Sequence, residues 1–157
     1  MTNSNPQEAL DAVRAYMREE DLHVPDPLVQ QVALLLGYRT PIFLDTNLGA
    51  EDGPLTGTLV AYTDVNLVVV KVETIEDDVE ITASVVSRKA LTGVRAASSV
   101  RARFPMPTPT PRWPRNAGIG LDYTGLGESV TLPLGRGTRA RNAVEQLLPS
   151  LLDDLNS

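Results

Sequence analysis

"GTLVAYTDVNLVVVKVETIEDDVEITASVVS", residues 57–87, decides the fold class. Three runs rich in β-branched residues, 57–63, 66–74 and 79–87, are separated by the short polar breaks "DV" and "IEDD". Branching at Cβ restricts χ1 and suits a pleated, packed surface, so such runs favour strands. The breaks leave no room for a crossover helix, and the stretch reads as an antiparallel meander. Before it, "PIFLD" (41–45) is a short strand, joined to the meander by "TNLGAEDGPLTG", a loop dense in Gly, Asn and Asp. After it, "LTGVRA" and "SSVRARF" carry two more strand signals, broken near Ser98. In the second, Val100, Ala102 and Phe104 alternate with Arg101 and Arg103, giving one apolar and one cationic face. "GIGLDYT" and "SVTLPL" form a last hairpin around "GLGE", and Pro133, which has no N–H for a ladder, places the final strand at a sheet edge.

Helices frame these strands. Residues 6–20 have Asn5 as a cap, Pro6 at the first helical position, and Leu10, Val13 and Met17 on one stripe. Residues 27–36 follow, with Asp26 expected to cap, Pro27 to open, and Gly37 to end the helix; Leu28, Val32, Leu35 and Leu36 form its apolar face. At the far end Thr138 is the expected cap of a helix in which Val144, Leu147, Leu148, Leu151, Leu152 and Leu155 share one face. Pro149 should kink that helix or restart it. The expectation is a single α+β domain over 1–157: a helical hairpin at 1–40, then an antiparallel β-roll or barrel of about seven strands at 41–157, capped by the closing amphipathic helix.

The totals agree with one domain. A chain of 157 residues with 42% hydrophobic content can bury a core, built here from Leu, Val, Ile and Ala because aromatics make up only 4%. There is no cysteine, hence no disulfide, thiolate metal site or cysteine nucleophile. The N-terminus lacks the basic and apolar regions of a signal peptide, and no apolar run reaches the roughly 18 residues of a membrane span, so a cytoplasmic protein without membrane insertion is expected. The net charge of −6 is uneven: residues 1–80 hold fifteen acids against four bases, whereas 81–121 hold seven bases and no acid. Such a segment either neutralises the acidic half, within a chain or between copies, or offers a polyanion-binding face. No helix carries a clustered basic face, so no specific nucleic-acid partner is expected.

"GTLVAYTDVNLVVV", "SRKALTGVRA", "LDYTGLGESVTLPL" and "RNAVEQLLPSLL" together resemble the bacterial version of the pleckstrin-homology-like superfold over roughly 55–157. The resemblance implies a meander, a second set of strands, and a helix plugging one end of a roll. Lipid-binding members keep basic residues around the first hairpin; here that turn is "TDVN" with only Lys71 nearby, so phosphoinositide binding does not carry over.

Chemistry is harder to find. His23 is the only histidine, so zinc would need carboxylates alone, and no G-x-S-x-G elbow accompanies any serine. "DTNLGAED" (45–52) departs from the EF-hand loop in its glycine and its missing final Glu, and "EDDVE" (76–80) reads as a solvated turn. No catalytic residue and no cofactor is expected. An enzyme reading would have to use Asp64, Asp122 and Arg139. Arg136, Arg139 and Arg141 in "GRGTRAR" gather at the start of the last helix, where free amides and arginines could cradle an anion.

The remaining oddity is "RFPMPTPTPRWPR" (103–115), with five prolines, three arginines and the only tryptophan. It is either a polyproline-II loop packed on its own domain or an arm gripping another subunit. Pro111, Arg112, Trp113, Pro114 and Arg115 are the candidate partner-binding group, because a Trp on a stiff segment is the residue type interface hot spots favour. The function expected is a non-enzymatic protein-binding or assembly module, with a protein partner or self-association into a homo-oligomer. The alternatives are a phage or virion structural component, a small acidic secretion-type chaperone, and an enzyme using carboxylates and arginines.

Overall fold

The computed structural model describes residues 5–20, 22, 24–49, 55–98, 117–135 and 138–157. The elements run α1 (Pro6–Glu19), α2 (Asp26–Leu35), β1 (Phe43–Thr46), β2 (Gly57–Tyr62), β3 (Asn66–Ile75), β4 (Asp78–Ser87), a 3₁₀ turn (Arg88–Ala90), β5 (Leu91–Ser98), β6 (Ala117–Tyr123), β7 (Val130–Leu132) and α3 (Thr138–Leu155). They fall into two compact units, Met1–Arg88 and Lys89–Ser157. Among the described residues no helix is long and apolar enough to cross a membrane.

In the first unit the helix ends follow local chemistry. The Asn5 side chain accepts from the backbone N–H of Gln7 (3.1 Å) and Glu8 (3.4 Å), the expected N-cap of α1. α2 ends in a Schellman motif: Gly37 has φ +67°, its N–H donates to Leu34, and the Tyr38 N–H donates to Ala33. Its start differs from expectation. Pro25 takes the cap position without a side-chain bond, and Asp26 is already helical. Its carboxylate instead accepts from Arg14 (3.1 Å) and Gln30 (2.9 Å), tying α2 to α1.

β1 to β4 pair antiparallel in sequence order. One face packs on the helices: Leu59, Ala61, Val68, Val70 and Val72 share a core with Val13, Met17, Leu28, Val29, Val32 and Leu36. On the other face Val60, Tyr62, Leu67 and Val69 are buried too, which is why "LVVV" is continuous and not alternating. Phe43 meets Tyr62 edge-on at 5.8 Å, and the Arg88 guanidinium lies 5.8 Å from the Tyr62 ring centre. From Lys71 onward β3 alternates exposed and buried positions. Gly57 is required where the loop enters β2. Its φ is +142°, and a Cβ there would lie 2.7 Å from Asn47 Oδ1 and 2.8 Å from Leu48 Cα.

In the second unit β5, β6 and β7 form an antiparallel sheet in that order, with an irregularity in β5 between Leu91 and Gly93. β7 sits at an edge, immediately before Pro133, as the sequence implies. α3 packs against β5, runs unbroken through Pro149, and buries Val144, Leu147 and Leu151. The buried stripe is narrower than the leucine pattern. Leu148 and Leu155 are half-buried and Leu152 is exposed. Thr138 is the first helical residue, and its side chain, which the capping expectation concerns, lies outside the described residues.

The α+β class stands, but the expected barrel is corrected, since the strands do not close into one. The seven strands divide into a four-stranded and a three-stranded sheet, and β4 does not pair with β5. Just after β4 the Arg88 N–H donates to Val65 (2.9 Å) and its Nη1 donates to Thr63 (3.1 Å), and β5 pairs with β6.

Candidate functional site

The carboxylates singled out from sequence are each held by an arginine. Asp122, on β6, faces Gly93 of β5, two residues from Arg95. Arg95 grips it with both arms, Nε to Oδ2 at 3.1 Å and Nη2 to Oδ1 at 3.2 Å, and Nη2 also donates to Ser129 Oγ at 2.9 Å. Ser129 in turn donates to Asp122 Oδ1. Arg95 can lie over the strand because its ladder partner is Gly120, where a Cβ would come within 3.3 Å of Nη2. The Ser129 hydroxyl first, and then the Arg95 guanidinium, hold the Asp122 carboxyl below the usual range. That makes Asp122 a weak base, suited to fixing β5 and β6 together. Asp64, in the other unit, is bound by Arg39 Nη1 at 2.7 and 2.9 Å.

Arg139 and Arg141 lie in the first turn of α3, which has no acidic residue, and both are engaged in contacts within the chain. Arg136, His23 and the group Pro111, Arg112, Trp113, Pro114 and Arg115 lie outside the described residues. One cleft of about 420 Å³ runs over the ends of β2 and β3 beside Thr58, Lys71, Glu73 and Thr74. Another, of about 370 Å³, lies between the N-terminal helices beside Arg14, Arg18 and Val29. Neither contains Asp64, Asp122 or Arg139. Among the described residues no three His, Asp or Glu side chains gather as a metal ligand set.

A feature that sequence reading missed is the outer edge of β4. β3 and β4 are joined by a two-residue turn, Glu76 and Asp77, between the paired Ile75 and Asp78. In such a hairpin the closing pair is hydrogen-bonded and the pattern alternates along the ladder. Residues 78, 80, 82, 84 and 86 therefore bond inward to β3, and the N–H and C=O groups of Val79, Ile81, Ala83 and Val85 point outward. Among the described residues, 79–86 have no backbone partner on that side. Val79 and Val85 are 48% and 43% exposed. Four acids, Glu76, Asp77, Asp78 and Glu80, crowd the hairpin tip, and Glu80 sits directly across from Glu73. An edge left open over 79–86 among the described residues, without proline or lysine, is of the kind that proteins that stay single usually blunt. The other edge of the same sheet, β1, has only four residues.

Comparison with protein-family models, with curated proteins and with solved structures finds no match.

Proposed function

We propose that this chain is a non-enzymatic protein-interaction or assembly module that binds through the open edge of β4. The observation that carries the reading is the stretch 79–86 of β4, whose outward main-chain groups have no backbone partner among the described residues and whose Val79 and Val85 are exposed. Main-chain groups give such an edge its affinity, and the alternate side chains give it selectivity. The engagement of Asp64 by Arg39 and of Asp122 by Arg95 and Ser129 favours this reading over the carboxylate enzyme. The succession of a meander, a second set of strands and a final helix supports the pleckstrin-homology-like framework for it. The cysteine-free sequence suits a reducing compartment, and we place the module in the cytoplasm.

Site-specific photo-crosslinking in living cells tests the reading. A photoreactive residue at Val79 or Val85 should trap protein far more efficiently than the same residue at Gln31, exposed on α2. Equal or absent trapping at the three positions would remove the observation from which the function is drawn.

A further inference from the structure

We infer that the partner of the β4 edge is a second copy of this chain, paired antiparallel about Thr82, so that two four-stranded sheets join into one continuous sheet. The inference rests on the reading above and goes further, since it names the occupant and its register.

Side-chain exposure sets the register. Two copies of one strand can pair antiparallel about a two-fold axis only where opposed residues bond in the same direction, so the outward-bonding residues 79, 81, 83 and 85 must face one another. Centring the axis on Thr82 puts Val79 against Val85 of the second copy and Ile81 against Ala83. The two exposed valines are thus the pair that cover each other. Shifting the centre to Ala83 leaves Val79 against Ser87, and shifting it to Ile81 leaves Val85 against Asp77. Only the Thr82 register removes both exposed valines from water together while each outward-facing pair exchanges two hydrogen bonds.

Charge selects the same arrangement. In the Thr82 register Asp78 faces Val86 and Glu80 faces Ser84, so no acid opposes an acid. Antiparallel pairing sends Glu76, Asp77 and Asp78 of the two copies to opposite ends, about 27 Å or more apart, and keeps the two Glu80 residues about 13–14 Å apart, beyond the screening length of about 8–10 Å. Parallel pairing would set Glu76, Asp77, Asp78 and Glu80 beside their own copies. Each tip also runs toward the second copy's Arg88–Ala90 turn, which carries the exposed Lys89. A chain of net charge −6 can self-associate this way because its densest acids are kept from one another.

The absence of cysteine makes the register directly measurable. Thr82 would face its own counterpart as a non-hydrogen-bonded pair, with Cα atoms about 4.5 Å apart, inside the range a disulfide spans. In the full chain, Thr82→Cys should therefore form a covalent dimer on mild oxidation. Glu80→Cys and Ser84→Cys, whose identical residues would lie about 13–14 Å apart, should not, yet the double variant carrying both should. Sedimentation of the unaltered chain, from low micromolar concentration upward, should give twice the chain mass. Val85→Glu should return it to the single mass with its circular dichroism unchanged. Monomeric mass at all concentrations, or Thr82→Cys linking no faster than Gln31→Cys, would overturn the inference. Linking by Glu80→Cys alone would overturn the register. Photo-crosslinks from Val79 and Val85 to other proteins, with the chain itself monomeric, would overturn the second copy while leaving the interaction module standing; no crosslinks from either valine would sink both.

Discussion

Leu151 and Leu152 are adjacent on α3 and chemically identical, so replacing each with alanine isolates burial from every other variable. Leu151 is 0% exposed and Leu152 is 42% exposed. Burying a leucine side chain is worth about 1.5–3 kcal/mol, and a cavity left behind raises the cost of Leu→Ala to about 2–5 kcal/mol. Leu151 sits one turn beyond buried Leu147 and two beyond buried Val144, a row in which the missing atoms cannot be replaced by solvent. Leu151→Ala should therefore cost about 3 kcal/mol. Leu152 already has much of its surface in water, and alanine is the better helix former by a few tenths of a kcal/mol, so Leu152→Ala should cost less than about 1 kcal/mol. Urea unfolding followed by far-ultraviolet circular dichroism measures both, provided the slope with denaturant is unchanged. Equal costs for the two variants, or a cost below about 0.5 kcal/mol for Leu151→Ala, would refute the assignment of the buried face.

Three further outcomes are expected. Gly57→Ala should destabilise the chain by at least about 2 kcal/mol, since its φ of +142° and the adjacent Asn47 and Leu48 backbone leave no room for Cβ. Gly127→Ala, with nothing within 4 Å, should be nearly neutral in the same titration, and equal effects would refute the steric account. Glu76→Gly should raise stability by up to about 1 kcal/mol, because Glu76 has φ +57° and the left-handed cost for a side chain exceeds the entropy that glycine gives up. A lower unfolding midpoint would show that the Glu76 side chain has a use in the turn. The Asp122 carboxyl is held below its unfolded value, so its contribution is complete above about pH 4 and is lost as pH falls through the lowered folded value. Asp122→Asn should accordingly make the acid limb of stability against pH shallower, and an unchanged limb would show that the Ser129 and Arg95 bonds are not specific to the folded state.

What was legible in the sequence was what a local signal can carry. Gly37 ends α2 because the left-handed position after a helix favours glycine, and that needs no knowledge of the rest of the chain. The β-branched runs became β2, β3 and β4 almost residue for residue. Asp26 misled because Pro25, one residue earlier, could take the cap while Asp26 found Arg14 twelve residues back. The leucine stripe of α3 gave the direction of its buried face; the width of that face depends on what it packs against, and Leu152 falls outside it. Sheet division is nonlocal in the same way. Nothing between 79 and 96 says that β5 pairs with β6 and not with β4, because the partner of β5 comes from beyond residue 116. Asp122 could be picked out as an acid beside a basic stretch, but its partners Arg95 and Ser129 are brought to it by the registers of β5 and β7 with β6.

The uneven charge of the chain now divides into parts with different work. Arg88 is 5% exposed and holds the β2–β3 turn through Thr63, while Arg95 is spent on Asp122. These two members of the basic segment serve the fold and are poor candidates for gripping a polyanion. The acids of the β3–β4 tip show the opposite pattern. Glu73 and Glu80 are placed directly across the ladder, where like charges cost stability and a Lys or Thr would have relieved the strain. A repulsion retained at one end of an otherwise open edge does little to close that edge, since the neutral stretch Ile81 to Val86 remains available. What it does is make the edge polar in direction: a strand arriving with its own acidic end at the tip is repelled, and one arriving from the opposite end is not. In the proposed pairing the charges at the tip would act on the choice of polarity and register more than on affinity, which would come from the main chain of β4 and from the exposed Val79 and Val85.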